Sequence, residues 1–204
     1  MPITVTAQDV PGWLPQWFVT EWSAPLGQLA QTDTAAVIDR APAAAARTED
    51  LRSAMRDLLR HGSYKPTGRG KPASEYLVRA MEEGGLPVIN PAVDILNAVS
   101  FVSGIAISVV DLDLCSGESF TVRHGREDEE YVFNASGQTI SLRDLLCLCD
   151  EAGPCANAVK DSQRTKTHPG TRRTLQILWS PKSQAPAAEA TLAWYREELE
   201  NAAR

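Results

Sequence analysis

In the middle of this chain the spacing of apolar positions changes near Gly104. Between Thr48 and that point the runs recur at helical intervals. Leu51, Met55, Leu58 and Leu59 follow Thr48-Glu49-Asp50, a capping residue and an acidic first turn, and predict a helix ending near His61-Gly62. Tyr76, Leu77, Ala80 and Met81 repeat at the same period after Ser74-Glu75, until Gly84-Gly85 stops them. Pro91 suits a first helical turn, and Val93, Leu96, Asn97 and Ser100 behind it predict a helix over 91–103. Beyond Gly104 the runs shorten and turn β-rich: IAISVVDLDL, ESFTVRHG, EEYVFN, TISLRDLLCLC and TLQILW, separated by polar turns. At the start, ITVTAQDV and WFVTEWSAPLG read as strand-like pieces whose Trp13, Trp17 and Trp22 should pack on the body of the protein. At the end, SQAPAAEA reads as a linker before a helix over 187–203 carrying Leu192, Trp194, Tyr195 and Leu199. The expected organisation is 1–60 as strand and helix elements packed on the core, 61–180 as the main domain, and 181–204 as linker and terminal helix.

A length of 204 residues suffices for one good core, and 43% hydrophobic with 23% charged residues is an ordinary globular composition. No window approaches the roughly 18 apolar residues of a membrane span, and Met1 to Val10 lacks a signal-peptide pattern, so a cytoplasmic chain with no membrane partner is expected. The four cysteines form no CxxC pair, and Cys147 and Cys149 alternate with leucine as in a strand. Buried free thiols are the expectation, with no metal and no cofactor. The acidic run Glu127 to Glu130 reads as a solvated turn between strands, and His61, His124 and His168 as dispersed surface residues.

A formal charge of −6 excludes a protein coated with basic residues, so any nucleic-acid contact must be local. Two stretches qualify. Arg60, Lys65, Arg69 and Lys71 occur with no acid among them, and Lys160, Arg164, Lys166, Arg172 and Arg173 occur against Asp161 alone. Either could be a solvated loop. The first carries more structure in its sequence: SYKPTGRGKP is a loop by its glycines and prolines, and it feeds a helix start, whose unpaired amides suit a phosphate or carboxylate.

KPTGRGKPASEYLVRAM, followed by LPVINPAVDILNAVSFVSGIAISVVDLDLCSGE, resembles the B3/B4 domain family known from the beta subunit of phenylalanyl-tRNA synthetase, and the stand-alone proteins of that type in particular. The later KDSQRTKTHPGTRRTLQILW is similar to their strand and DS..T turn, so the resemblance runs from about His61 to Trp179. It implies an α+β fold, a mostly antiparallel sheet with helices on one side. It also implies a domain that accepts the CCA end of a mischarged aminoacyl-tRNA and cleaves the ester, with no role for DNA and with an aminoacyl-tRNA synthetase as a further candidate partner.

The resemblance puts Asn97 in the pocket, while rigid flanks, glycines and an adjacent helix terminus suit Lys65 and Arg69 of the KPTGR loop to the RNA phosphates, with Glu75 of the following helix beside them. Asp161, Ser162, Arg164 and Thr165 form a polar turn that would close the site from the other side. Two positions depart from the family: Leu96 stands where its threonine stands, and Ser108 where its histidine stands. With that histidine gone, hydrolysis would rest on Asn97, on Ser108 or on a free ribose hydroxyl of the substrate. Leu96 makes the acyl chamber smaller or more apolar.

Bland readings stand beside these: a core-satisfying asparagine at 97, a hydrogen-bonded turn at 161–165, and Asp94 and Asp111 spent on backbone amides. For function, a deacylase acting in trans competes with a module that binds the tRNA end or amino acid without hydrolysis, and with an enzyme or sensor for a free amino acid.

Overall fold

The computed structural model describes residues 2–204 and shows an α+β protein in which short antiparallel sheets are packed with helices. In chain order the strands are β1 (Thr4–Ala7), β2 (Trp13–Glu21), β3 (Ile107–Asp111), β4 (Ser119–His124), β5 (Glu130–Val132), β6 (Thr139–Ser141), β7 (Leu146–Asp150), β8 (Gly153–Asn157) and β9 (Arg173–Pro181). The helices are α1 (Thr34–Asp39), α2 (Glu49–Leu59), α3 (Ala73–Glu82), α4 (Pro91–Ser103) and α5 (Ala185–Ala202).

The strands divide into three sheets where the sequence suggested one. β9 lies at the centre of the first, antiparallel to β2 on one side and β3 on the other. The second has the order β1-β4-β7-β8, antiparallel except for the β1–β4 pair, and β5 and β6 form a separate hairpin. TISLRDLLCLC, which reads as one run, is split into β6 and β7 by a turn in which Asp144 takes a left-handed φ of 62°. β8 had no distinct signal: its GPCAN has little β propensity and forms because β7 offers it a ladder.

The helices begin and end for the local reasons the sequence offered. The Thr48 side chain accepts from the Leu51 amide at the start of α2, and the Asn90 side chain accepts from the Val93 amide at the start of α4. Gly104, at a left-handed φ of 75°, ends α4. SQAPAAEA is not a linker: a single turn at Lys182–Gln184 runs directly into α5, because alanine and glutamate are helix formers and the proline falls in the first turn.

The core joins all of this. Trp13 and Trp22 are buried, with indole N–H groups donating to the Leu178 carbonyl at 2.9 Å and to Thr174 Oγ1 at 3.0 Å, which ties β2 to β9 by side chains as well as backbone. From α5, Tyr195 meets Phe18 edge-on with ring centroids 5.3 Å apart. Trp179, Phe120, Leu142, Ile95 and Ile105 are fully buried, each side chain contributing about 1.5–3 kcal/mol from water exclusion. No described helix is long and apolar enough to cross a membrane.

Candidate functional site

α4 is buried on nearly every side, so a polar residue in its middle needs a reason. Asn97 is 8% exposed and its amide makes no hydrogen bond to any described residue, yet the amide atoms are not sealed from solvent. They open instead into a chamber of about 280 Å³ lined by Leu77 and Tyr76 of α3, Leu96 and Asn97 of α4, Ile107 of β3 and Lys160. Its other polar wall groups are engaged: Ser100 Oγ donates to the Ile105 carbonyl at 2.7 Å, and Tyr76 Oη donates to the Gly68 carbonyl at 3.2 Å. A core-satisfying role for Asn97 is therefore not what this geometry offers. A buried amide left open to a cavity keeps its donor and acceptor free for a hydrogen bond there.

Lys160 lies on the wall of this chamber and on the wall of a second, larger depression of about 730 Å³, whose cations are Lys65, Arg69, Arg143 and Lys160. The two spaces thus share a side chain, with a groove lined by positive charge on one side of Lys160 and an apolar chamber on the other. The turn after β8 holds Lys160 in place. Asn157 Oδ1 accepts from the amides of Val159 and Lys160, both at 2.8 Å, and Tyr131 Oη donates to the Lys160 carbonyl at 2.7 Å. The Lys160 ammonium sits 4.0 Å above the Phe133 ring.

The loop carrying Lys65 and Arg69 is tied down at several points. Asp144 Oδ2 accepts from both the amide and the hydroxyl of Ser63 at 2.7 Å, and Tyr64 Oη donates to the Gly70 carbonyl at 2.6 Å. Gly70 suits this crossing, since a Cβ there would stand 2.8 Å from Tyr64 Oη and push the tyrosine aside. Lys65 and Arg69 are exposed, with no acidic partner among the described residues. At the base of the loop, His61 stacks on His124 with centroids 3.6 Å apart and planes 12° from parallel. Burial first, and the neighbouring His61 second, hold the His124 imidazolium below its ordinary range. The histidines are therefore not dispersed, and His168 Nε2 lies 3.3 Å from Asp111 Oδ2.

The remaining expected site residues sit elsewhere. Ser108 is fully buried and does not line the chamber; its hydroxyl lies 2.7 Å from Asp161 Oδ1 and accepts from the Trp179 indole N–H at 2.9 Å. Asp161 also accepts from the Asn157 amide at 3.1 Å, and burial pushes its carboxyl up to about 7. Ser108 and Asp161 thus form a layer behind Ile107 and Lys160, their chain neighbours on the wall. Ser162 is buried and caps the turn at Gln163–Thr165, accepting from the Arg164 amide. Arg164 forms a two-pronged pair with Asp150 at 2.8 and 2.9 Å, and Thr165 Oγ1 donates to the Cys155 carbonyl at 3.0 Å. Glu75 is gripped by Arg56 of α2 at 2.6 and 2.7 Å, away from both spaces. Within the acidic run, Glu129 is not merely solvated: Arg123 holds it at 2.6 Å. Asp94 Oδ1 accepts from the Ile89 amide while its Oδ2 is buried without a partner among the described residues, and Asp111 Oδ1 accepts from the Asp113 amide while its Oδ2 accepts from the Thr171 hydroxyl.

Of the residues expected to share a site, the structure brings together Asn97, Leu96, Lys65 and Arg69, through Lys160. Sequence reasoning had Lys160 only as one charge in a basic stretch. It missed Arg143 and Phe133, because a groove wall assembled from separate loops leaves no spacing signal, and it had Tyr76 only as an apolar position of a helix.

Comparison with known proteins identifies the family of the segment that carries these residues. The chain is 30% identical over 120 residues to the phenylalanine--tRNA ligase beta subunit of Bartonella quintana (strain Toulouse), and 31% identical over 120 residues to that of Bartonella henselae. In each case the match covers 57% of this chain and only 15% of the relative, so the chain corresponds to a small part of those subunits. The B3/4 domain family matches residues 65–181, which contain Asn97, Lys160 and the whole KPTGR loop; the chain belongs to the B3/4 domain family.

Proposed function

We propose that this chain is an aminoacyl-tRNA deacylase acting in trans, which removes a wrongly attached amino acid from the 3′ end of tRNA. The observation that carries the reading is the free amide of Asn97, buried in an apolar chamber that shares Lys160 with a positively charged groove. A mischarged CCA end has matching chemistry: an acyl group for the chamber, phosphates for Lys65, Arg69 and Lys160, and bases for stacking on an aromatic such as Phe133.

Hydrolysis of the ester adds a water oxygen to the acyl carbon and breaks that carbon's bond to the ribose oxygen. The water proton passes to the ribose, leaving a free amino acid and an intact tRNA end. Asn97 can orient the water or donate to the developing oxyanion, and its position on a rigid helix means the donor is arranged before the substrate arrives. Ser108 and Asp161 act from behind, fixing the wall that carries Lys160. The proton acceptor is the neighbouring ribose hydroxyl of the substrate.

A second reading has its own support. Among the described residues no carboxylate or imidazole lines the chamber, so the chain supplies no general base there, which suits a module that binds the tRNA end without cleaving it. Release of amino acid from a panel of mischarged tRNAs, by wild type and Asn97→Ala, separates the two. Turnover on one or a few pairs, lowered about 100-fold or more in the variant, supports the deacylase. Absence of turnover on every pair, with tRNA binding retained, moves the assignment to the binding module.

A further inference from the structure

The chamber that the deacylase reading assigns to the acyl group also limits what that group can be. Its volume of about 280 Å³ is at the low end for a small-molecule site, enough for one aminoacyl group with the adenosine left outside in the groove. Leu77, Leu96, Ile107 and Val159 make its walls, and two of the three uncharged polar groups among them have already given their protons to backbone carbonyls. The remaining one, the Asn97 amide, is taken by the ester. The Lys160 ammonium lies over the Phe133 ring, on the groove side of the wall.

We infer that the chamber selects an aminoacyl group whose side chain is apolar, aliphatic or phenyl, and discriminates against side chains bearing a hydroxyl, amine or carboxylate. The physical reason is desolvation. A hydroxyl entering this chamber gives up water and meets mostly hydrocarbon, the Ser100 and Tyr76 hydroxyls having already donated, so the substrate carrying it is penalised while its apolar counterpart is not. Leu96 is the determinant, being the wall residue adjacent to Asn97 and the one whose replacement by a hydroxyl-bearing side chain would give a polar substituent a partner.

The inference rests on the assignment of the chamber to the acyl group, and it is tested without requiring hydrolysis. Non-cleavable 3′-aminoacylamino-3′-deoxyadenosines carrying phenylalanine, leucine, tyrosine or serine are titrated into the protein by calorimetry, beside the amino-acid release assay. Phenylalanine and leucine analogues are expected to bind about 100-fold more tightly than those of tyrosine and serine. Leu96→Thr is expected to narrow the phenylalanine-to-tyrosine ratio to about tenfold. Equal or tighter binding of the tyrosine or serine analogue overturns the inference, and if Asn97-dependent release persists, the deacylase reading survives it. Apolar selectivity in binding with no release from any tRNA keeps the inference and removes the hydrolase. Failure of all four analogues to bind overturns the assignment of the chamber itself.

Discussion

Between Arg60 and Lys71 the cations at 65 and 69 stand over an open groove without an acidic partner, whereas between Lys160 and Arg173 Lys160 alone lines that groove and Arg164 and Lys166 are occupied inside the fold. Arg164 is spent on Asp150, and Lys166 donates to the Phe133 carbonyl at 2.6 Å. As sequence the two stretches look alike: several cations, a few glycines or prolines and almost no acid. The difference is what each loop lies against. The first wraps a helix start and tyrosine hydroxyls, which satisfy its backbone and leave its charges over. The second crosses the end of β7, where a fully buried carboxylate needs neutralising. A basic stretch can thus serve a ligand or the fold, and what decides between them is the position of the nearest buried acid.

Four measurements would sharpen or break that contrast. The largest effect is expected from Arg164→Ala, which leaves the Asp150 carboxylate buried and short of its counter-charge. The cost should be about 2–3 kcal/mol in urea unfolding, below the usual figure for a broken buried pair because the arginine keeps part of its side chain in solvent. A stable Arg164→Ala protein with weakened RNA binding would reverse the roles of the two stretches.

Next comes a pH profile. Asp161 rises from 3.8 to about 7 on folding, so within that window the native chain holds a proton that the unfolded chain releases. Stability contributed by this group is complete below the unfolded value and is lost as pH rises through the folded one. The partly accessible carboxylate should give a fall of about 2 kcal/mol over the window, which Asp161→Asn should flatten. A profile unchanged by the substitution would mean that Asp161 is ionised throughout.

The Lys65→Ala/Arg69→Ala pair is expected to do the opposite of Arg164→Ala. Unfolding should move by less than about 0.5 kcal/mol, because neither side chain is engaged. Binding of a tRNA end should weaken about tenfold, and its salt dependence should drop by roughly 0.7 for each phosphate the protein no longer neutralises. Unaltered binding at low salt would remove the RNA from this groove. The smallest effect belongs to Glu75→Gln, predicted to cost about 1 kcal/mol through Arg56 and to leave ligand binding untouched.

The helices and most strands were legible because caps, stops and periodicity are local. Thr48, Asn90 and Gly104 act on residues within four positions of themselves, and they ended up where the spacing put them. The division into three sheets, and β8 altogether, were not legible, since a strand without propensity is made by the partner that pairs with it. The site divided along the same line. Asn97 and the KPTGR loop could be named from sequence, Asn97 through the family resemblance and the loop through its glycines, prolines and cations. The occupation of Glu75 by Arg56, of Arg164 by Asp150 and of Ser108 by Asp161 could not, because each pairing joins positions between 14 and 53 residues apart.

β9 sits between β2 and β3, and β2 pairs with it over nine residues, from Trp13 opposite Pro181 to Glu21 opposite Arg173. The family match begins at residue 65, so β2 lies outside it. Trimming the chain to the matched segment would strip one flank of β9 and leave a long, largely apolar row of unpaired amides and carbonyls open to solvent. Such an edge recruits other chains, and the trimmed protein is expected to oligomerise or precipitate.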